Sequence, residues 1–455
     1  MLKKNIVIVF LILAFQISSA QDTLFLNLNQ ALEMAVEQNQ LIKIFQYKIA
    51  NADGKLKEMN SHFYPRIIAE GTFAYNSDPN IYAKKGEFNH FYDDLIGVEW
   101  IDELLEKYFP LPPRDMTLIK GDNFFSKANV GVYQPLSQLT TINTGNKIAG
   151  IDLKISNLEL NDVISKVKLG VNELFYGILI EEKNEEVAKY NLEYKILQYQ
   201  ETKNAYESGE VLIIDVTALK AEIYEKELEL LEIQNKKESY IYTFNNILGL
   251  DIDTKTKLLF DTIDLKPYNN IQEYYSMAFS NNYELGISNA TIDKAKLGIT
   301  AAKKAYIPEL SYFAQYNDNR GLPLYPENYF LTGLNLKWTL IASGERSALI
   351  KQRNALFNEA SENFEYKRKY LRVEVHKAYL DLTYAYKLIQ TAKKALEVRN
   401  EELILTVNLV DEGEALPSML LKAKADYAKA QADLLASELN YLISFAKLNR
   451  LTGDQ

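Results

Sequence analysis

One break is made twice in this sequence. ESGEVLIIDVTALKAE (207–222) and DEGEALPSMLLKAKAD (411–426) each set an acidic, glycine-centred interruption inside long runs of helical composition, about 204 residues apart. Identities at that offset extend the echo, with Val171 on Val375, Gly209 on Gly413, Ala221 on Ala425 and Gly249 on Gly453, and one aromatic falls on another, Phe175 on Tyr379. Upstream the offset is about 243, with Ala35 on Ala278, Asn39 on Asn282, Ile49 on Ile292, Ala52 on Ala295 and Pro65 on Pro308. Coincident identities at a fixed offset mark a duplicated unit, so the chain folds into an architecture that uses one plan twice.

Each half has the same order. A helical segment of about 35 residues (28–62 and 271–305), rich in Ala, Leu, Lys and Glu and free of proline, comes first. Pro65 and Pro308 push the residue before them out of the α region and mark helix-to-strand breaks. Strand-like pairs follow, at about 66–76 and 125–136 in the first half and about 309–318 and 329–340 in the second. Long helical patterns over about 144–207 and 345–411 then run to the glycine-centred breaks, and return helices reach about 249 and 452. The return segment 421–436 is rich in alanine, which favours close helix packing. The expectation is a mostly α chain with a small β part: a first structural repeat over 21–255, an inter-repeat linker or equatorial region over 256–269, and a second repeat over 270–455.

The strands carry two different faces. In 66–76, Ile67, Ala69, Gly71, Phe73 and Tyr75 alternate with Arg66, Ile68, Glu70, Thr72, Ala74 and Asn76; in 329–340, Phe330, Leu334, Leu336 and Trp338 alternate with Gly333, Asn335, Lys337 and Thr339. One face is apolar and aromatic, the other polar and small, a pattern that fits a soluble sandwich or a membrane barrel. Four strands cannot close a barrel, and open edges do not persist in lipid, so a barrel requires several copies. Two copies give eight strands around a filled interior, whereas three give twelve and leave a channel.

The N-terminus points outward from the cytoplasm. MLKKNIVIVFLILAFQISSA has Lys3 and Lys4, an apolar run of about 12 residues, and then Ser18-Ser19-Ala20, the small-x-small pattern of a signal peptidase site. That run is too short to cross a bilayer as a helix. A signal peptide over 1–20, cleaved near Ala20, is therefore expected. Cysteine is absent, which removes disulfides, thiolate metal sites and thiol catalysis, and no lipid anchor on a cysteine is expected. Without Lys3 and Lys4 the 51 basic residues fall to 49 against 61 acidic ones, and so acidic a surface is not expected to bind nucleic acid. His62, His90 and His376 each lack a partner at metal-ligand spacing, and no nucleophile elbow or nucleotide loop occurs, so neither enzyme activity nor a cofactor or metal is expected.

In the order helix, proline, β-hairpin, long helix, glycine-centred tip and return helix, performed twice over essentially the whole mature chain, the sequence resembles the TolC-like outer membrane efflux channel family. The resemblance implies a homotrimer whose protomers form a 12-stranded outer membrane β-barrel continued by a periplasmic α-helical barrel. The two breaks become the helical tips, at 206–216 and 410–420. It implies a passive outer membrane channel of a tripartite efflux or type I secretion system, seated in outer membrane lipid, spanning into the periplasm, and fed by an inner-membrane transporter through a periplasmic adaptor protein. The family's tip pattern, an aromatic, two residues, Gly, five residues and Asp-Val, is matched by Tyr206, Gly209, Asp215 and Val216. The second repeat keeps Gly413 and Glu414 but has Val410 and Met419 at the aromatic and Asp positions.

The resemblance thus puts the tip, gate and adaptor contact at Tyr206, Gly209, Glu210, Asp215, Asp411, Glu412, Gly413 and Glu414. Repeated around a narrow opening, these carboxylates make a mouth that attracts cations; short acidic residues and glycine also simply solvate a helix turn. The first hairpin holds an insertion, about 77–123, with prolines 79, 110, 112 and 113 and a helical pattern at 98–109. The resemblance makes it a long extracellular loop, serving as a lid, a docking loop or surface decoration. A non-pore periplasmic or surface coiled-coil scaffold is the alternative. It needs no aromatic alternation beside Pro65 and Pro308.

Overall fold

The computed structural model describes residues 23–83, 107, 116–260, 265, 267–322 and 326–453. The signal peptide expected over 1–20, and most of the insertion with His90 and nearly all of the helical pattern at 98–109, lie outside the described residues. The elements run β1 (Leu24–Leu26), α1 (Leu28–Gln38), α2 (Gln40–Ser61), β2 (Arg66–Tyr75), β3 (Ile81–Ala83), β4 (Met116–Ile119), β5 (Phe124–Pro135), α3 (Leu139–Glu207), α4 (Ile213–Ile247), β6 (Thr256–Leu258), α5 (Ile271–Asn281), α6 (Tyr283–Lys304), β7 (Glu309–Arg320), β8 (Asn328–Lys337), α7 (Glu345–Asp411) and α8 (Pro417–Thr452).

The opening helical segment of each half is two helices, where the sequence pattern reads as one. Asn39 and Asn282 interrupt it, each with ψ 125°. Their N–H groups still donate to the carbonyls of Ala35 and Ala278 (3.1 and 3.0 Å). Their side chains do two further jobs. Oδ1 accepts from the N–H of Leu41 and Leu285 (2.9 and 3.0 Å), capping the helix that follows. Nδ2 donates to the carbonyls of Ile247 and Leu451 (2.8 and 3.0 Å), which sit without intrahelical partners at the ends of α4 and α8. The apolar periodicity continues on both sides of the break and hides it.

Helices α2 and α6 stop at Ser61 and Lys304, four residues before Pro65 and Pro308. Three consecutive backbone bonds spanning three residues each tighten the chain there, His62 to Met59, Phe63 to Asn60 and Tyr64 to Ser61, repeated as Ala305 to Ala302, Tyr306 to Lys303 and Ile307 to Lys304. The prolines then open the strands. The chain divides into two compact units, residues 54–150 with 295–356, which hold the main sheet, and residues 1–53, 151–294 and 357–455, which are mostly helical.

In the sheet-bearing unit the four long strands pair antiparallel in the order β2-β5-β7-β8. Strands β3 and β4 extend the insertion's base as a small antiparallel ribbon. In the helical unit, β1 pairs parallel with β6, three residues each, and β6 lies in the stretch read from sequence as a linker. Helices α3 and α7, of 69 and 67 residues, return through α4 and α8.

Each repeat builds its own apolar core there. Ala35, Val171, Phe175, Phe244 and Leu248 pack in one, and Ala278, Val375, Leu382, Ile389, Tyr441 and Leu448 in the other. The pairs Ala35 and Ala278, Val171 and Val375, and Phe244 and Leu448 occupy equivalent places in the two repeats and are all fully buried. Ala423, Ala425, Ala428, Ala430 and Ala432 are buried along α8, where a side chain no larger than a methyl lets neighbouring backbones approach.

Candidate functional site

The residues singled out in the sequence fall in two places, the sheet and the two helix tips. At each tip the chain leaves its helix through the same left-handed glycine turn. Gly209 has φ 84°, its N–H donates to Tyr206 (2.9 Å) and the N–H of Glu210 reaches back to Ala205 (2.9 Å). Gly413 has φ 76°, with matching bonds from Gly413 to Val410 (3.1 Å) and from Glu414 to Leu409 (2.8 Å). This is the Schellman arrangement, and only glycine adopts its positive φ without a steric penalty. Tyr206, Glu210, Asp215, Asp411, Glu412 and Glu414 are all exposed.

The tips differ in how the return helix begins. Asp215 is the third residue of α4, and its carboxylate accepts from the N–H of Leu212 (3.1 Å), satisfying a donor and placing negative charge at the helix's positive end. Met419 holds that position in α8 and cannot accept. There Pro417 removes one donor by lacking an N–H, and Glu201 Oε1, from α3 of the other repeat, accepts from the N–H of buried Ser418 (3.0 Å). Sequence reading missed Glu201. The only signal for it was the missing carboxylate at Met419, which leaves a helix start in need of an acceptor.

Further along the first hairpin, α3 and α4 are joined by ions. Glu185 accepts from Lys189 (2.8 Å), from Lys237 and from Gln234 (3.2 Å). Lys189 and then Lys237 hold its carboxyl well below the usual range, down to about 2. Glu181, buried, pairs with Lys236 (2.5 Å).

The register of the main sheet sorts its side chains. Ile67, Ala69, Gly71, Phe73 and Tyr75 share one face with Phe124, Val130 and Val132 of β5, Tyr312 and Tyr316 of β7, and Phe330, Leu334 and Leu336 of β8. Ile67, Phe73, Tyr75, Phe330, Leu334 and Leu336 are each more than 60% exposed, which is far from what a soluble sheet does with its apolar face. Phe73 stacks on Phe124 at 5.8 Å.

The opposite face carries Glu70, Lys127, Asn129, Gln315, Asn317, Asn335 and Lys337. Asn129 donates to Glu70 (3.4 Å) and Tyr133 to Gln315 (3.0 Å). Two aromatic rings on this face lie over glycines: the ring of Tyr133 is 3.1 Å from where a Cβ on Gly131 would sit, and that of Phe313 is 3.2 Å from the same point on Gly333. Strands β2 and β8 form the two edges of the sheet.

Among the described residues no group of His, Asp or Glu side chains could hold a metal ion, and no helix is long and apolar enough to cross a membrane. His62 sits against Arg66, and His376 Nδ1 against the Tyr275 hydroxyl (2.9 Å).

A search of curated proteins by sequence finds no match. Residues 274–454 match the family described as Outer membrane efflux protein, which consists of channels and not enzymes. Solved structures match over nearly the whole chain. The CmeC outer membrane channel of Campylobacter jejuni has a TM-score of 0.75 at 14% identity, covering 94% of this chain and 85% of its own. The outer membrane protein VceC of Vibrio cholerae has a TM-score of 0.69 at 13% identity, covering 94% and 96%, and the MtrE outer membrane channel of Neisseria gonorrhoeae 0.68 at 13%, covering 94% and 88%. Residues 274–454 are thus similar by sequence to outer membrane efflux proteins, and nearly the whole chain has the fold of these outer membrane channels.

Proposed function

We propose that the protein is a passive outer membrane channel that works as a homotrimer, with its sheet in the outer membrane and its long helices in the periplasm. The observation that carries this reading is a four-stranded sheet with an exposed aromatic face and two open edges. Lipid covers such a face, and pairing of β8 of one copy with β2 of the next removes the edges. Three copies close twelve strands around a lumen lined by the polar face. The helices supply matching contacts. Tyr224, Leu228, Leu231 and Tyr242 on α4, and Tyr366, Tyr370, Val373, Leu380 and Tyr384 on α7, are exposed apolar rows at heptad-compatible spacing, suited to packing between copies.

The channel receives its substrate from an inner-membrane transporter through a periplasmic adaptor that meets the tips around 206–216 and 410–420. Its signal peptide is cleaved near Ala20, and residues 77–123 face outside the cell. Glu210, Asp215, Asp411, Glu412 and Glu414, each in three copies, form an acidic constriction at the periplasmic end.

Conductance of the purified mature protein in planar bilayers tests this directly. We expect stable pores whose small conductance rises at least about twofold in Asp215→Ala and in Glu414→Ala. Pores unaffected by both substitutions would move the gate elsewhere. Folded, helical protein that never inserts would favour a coiled-coil scaffold instead.

A further inference from the structure

Charge is distributed unevenly in this acidic chain. On the side of the sheet-bearing unit where helices meet strands, residues 54–65, 136–150, 295–308 and 338–356 contain nine basic residues and only two acidic ones, Glu58 and Glu345, although the chain as a whole has 51 basic and 61 acidic residues. Lys55, Lys147, Lys303, Lys351 and Arg353 are exposed there. A local excess of positive charge of this kind attracts a partner of opposite charge.

An apolar loop opens the last of these segments. The row Leu334 and Leu336 on β8 runs on through Trp338, just beyond the strand, into Leu340 and Ile341, which are 71% and 85% exposed. The loop is firmly shaped. Ser343 and Gly344 take positive φ of 42° and 88°, the N–H of Glu345 donates to Ala342 (2.8 Å), and Arg346 donates to the carbonyl of Thr339 (2.6 Å) while lying 5.1 Å from the Tyr306 ring centroid. Two large aliphatic side chains are therefore displayed by a folded turn.

We infer that this part of the unit is a phospholipid-binding surface: Trp338, Leu340 and Ile341 enter the acyl region of the periplasmic leaflet, and the neighbouring lysines and arginines hold anionic headgroups. The inference rests on the reading of the sheet as an outer membrane barrel and adds a lipid class to it. Lipid is the occupant because the apolar loop continues the row assigned to lipid. Cations beside exposed aliphatic and aromatic groups also match the chemistry of a leaflet surface, where phosphate lies next to hydrocarbon.

The sequence contains two tryptophans, Trp100 and Trp338, so Trp100→Phe leaves Trp338 as the sole reporter. The full mature chain carrying that change, in detergent, is titrated with phosphatidylglycerol or phosphatidylcholine bearing brominated acyl chains, and Trp338 fluorescence is read. Brominated phosphatidylglycerol is expected to quench at a half-saturating mole fraction at least about fivefold lower than brominated phosphatidylcholine. Lys303→Gln, Lys351→Gln and Arg353→Gln together bring the two lipids level, and Leu340→Asn with Ile341→Asn weakens quenching by both.

Replacing chloride by inorganic phosphate at equal ionic strength should leave the preference intact; its selective loss would mean a free-anion site and overturn the lipid assignment. Equal quenching by both lipids overturns the headgroup assignment. No quenching, in protein that still forms conducting pores, overturns loop insertion alone. Loss of both pores and quenching counts against the channel reading itself and removes this surface with it.

Discussion

Gly249 and Gly453 show what a duplicated residue does that a duplicated composition cannot. Both take positive φ, 74° and 70°, and each presses against the preceding helix break: a Cβ would lie 3.0 Å from the Gln38 carbonyl oxygen at Gly249 and 2.6 Å from that of Asn281 at Gly453. Gly209 and Gly413 share the backbone conformation but have nothing within 4 Å of that point. Alanine at any of the four costs about 1–2 kcal/mol for the left-handed backbone alone. At Gly249 and Gly453 it also forces two backbones apart. Gly453→Ala should therefore lower the melting temperature, followed by circular dichroism, at least about twice as far as Gly413→Ala, and Gly249→Ala further than Gly209→Ala. Equal shifts would mean that the contact at the break adds nothing. These positions were visible in the sequence as identities at a fixed offset, and so were Asn39 and Asn282. Their roles were not, because the partners Ile247 and Leu451 are 208 and 169 residues away along the chain. Glu201 left only the indirect sign of the absent carboxylate at Met419, since its bond to Ser418 joins the two repeats and has no counterpart at Leu405, its equivalent in the second.

At the scale of elements, the long helices and the four strands were legible because each has a strong period and a clear stop. Pro65 and Pro308 end one pattern and begin the next, and Gly209 and Gly413 end the helices that precede the tips. The strands β1 and β6 were not legible: three residues are too few for a period, and their pairing joins Leu24 to Thr256 across the whole first repeat. Ion pairs between helices are equally invisible to periodicity, and the one at Glu185 has a measurable consequence. Its carboxyl titrates near 2 in the folded protein against an ordinary value of 4.5, so the stabilisation it provides is fully present above about 4.5 and is lost as pH falls toward 2. Glu185→Gln should lower the melting temperature at pH 7, and the gap to the parent protein should close between pH 4.5 and 2. A gap of constant size across that range would assign the loss to packing and not to charge. The partners of Glu185 come from two helices: Lys189 lies one turn on along α3, and Lys237 and Gln234 lie on α4. The pairs therefore fasten the first hairpin well away from its tip.

For the whole molecule, the decisive fact is that β2 and β8 lie at opposite sides of one sheet. Three strand spacings of about 4.8 Å put them roughly 14 Å apart, beyond the ~7 Å between Cα atoms that a disulfide can span. A covalent bond between these strands can therefore form only between copies. The chain contains no cysteine, so every thiol in the experiment is one that has been introduced. Ala69→Cys combined in turn with Phe330→Cys, Thr332→Cys, Leu334→Cys or Leu336→Cys, all on the same face, samples the register at which two copies meet. Oxidation in membranes should give one strongly linked pairing, weaker neighbours two residues away, and a denaturing-gel ladder that stops at three chains. A ladder stopping at two would describe eight strands, whose filled interior leaves no duct. Linkage that continues past three would describe an open assembly with its edges still unsatisfied, which lipid does not tolerate. A closed trimer satisfies every edge hydrogen bond and turns the aromatic row of each copy outward, while leaving Glu70, Asn129 and Gln315 to line the lumen.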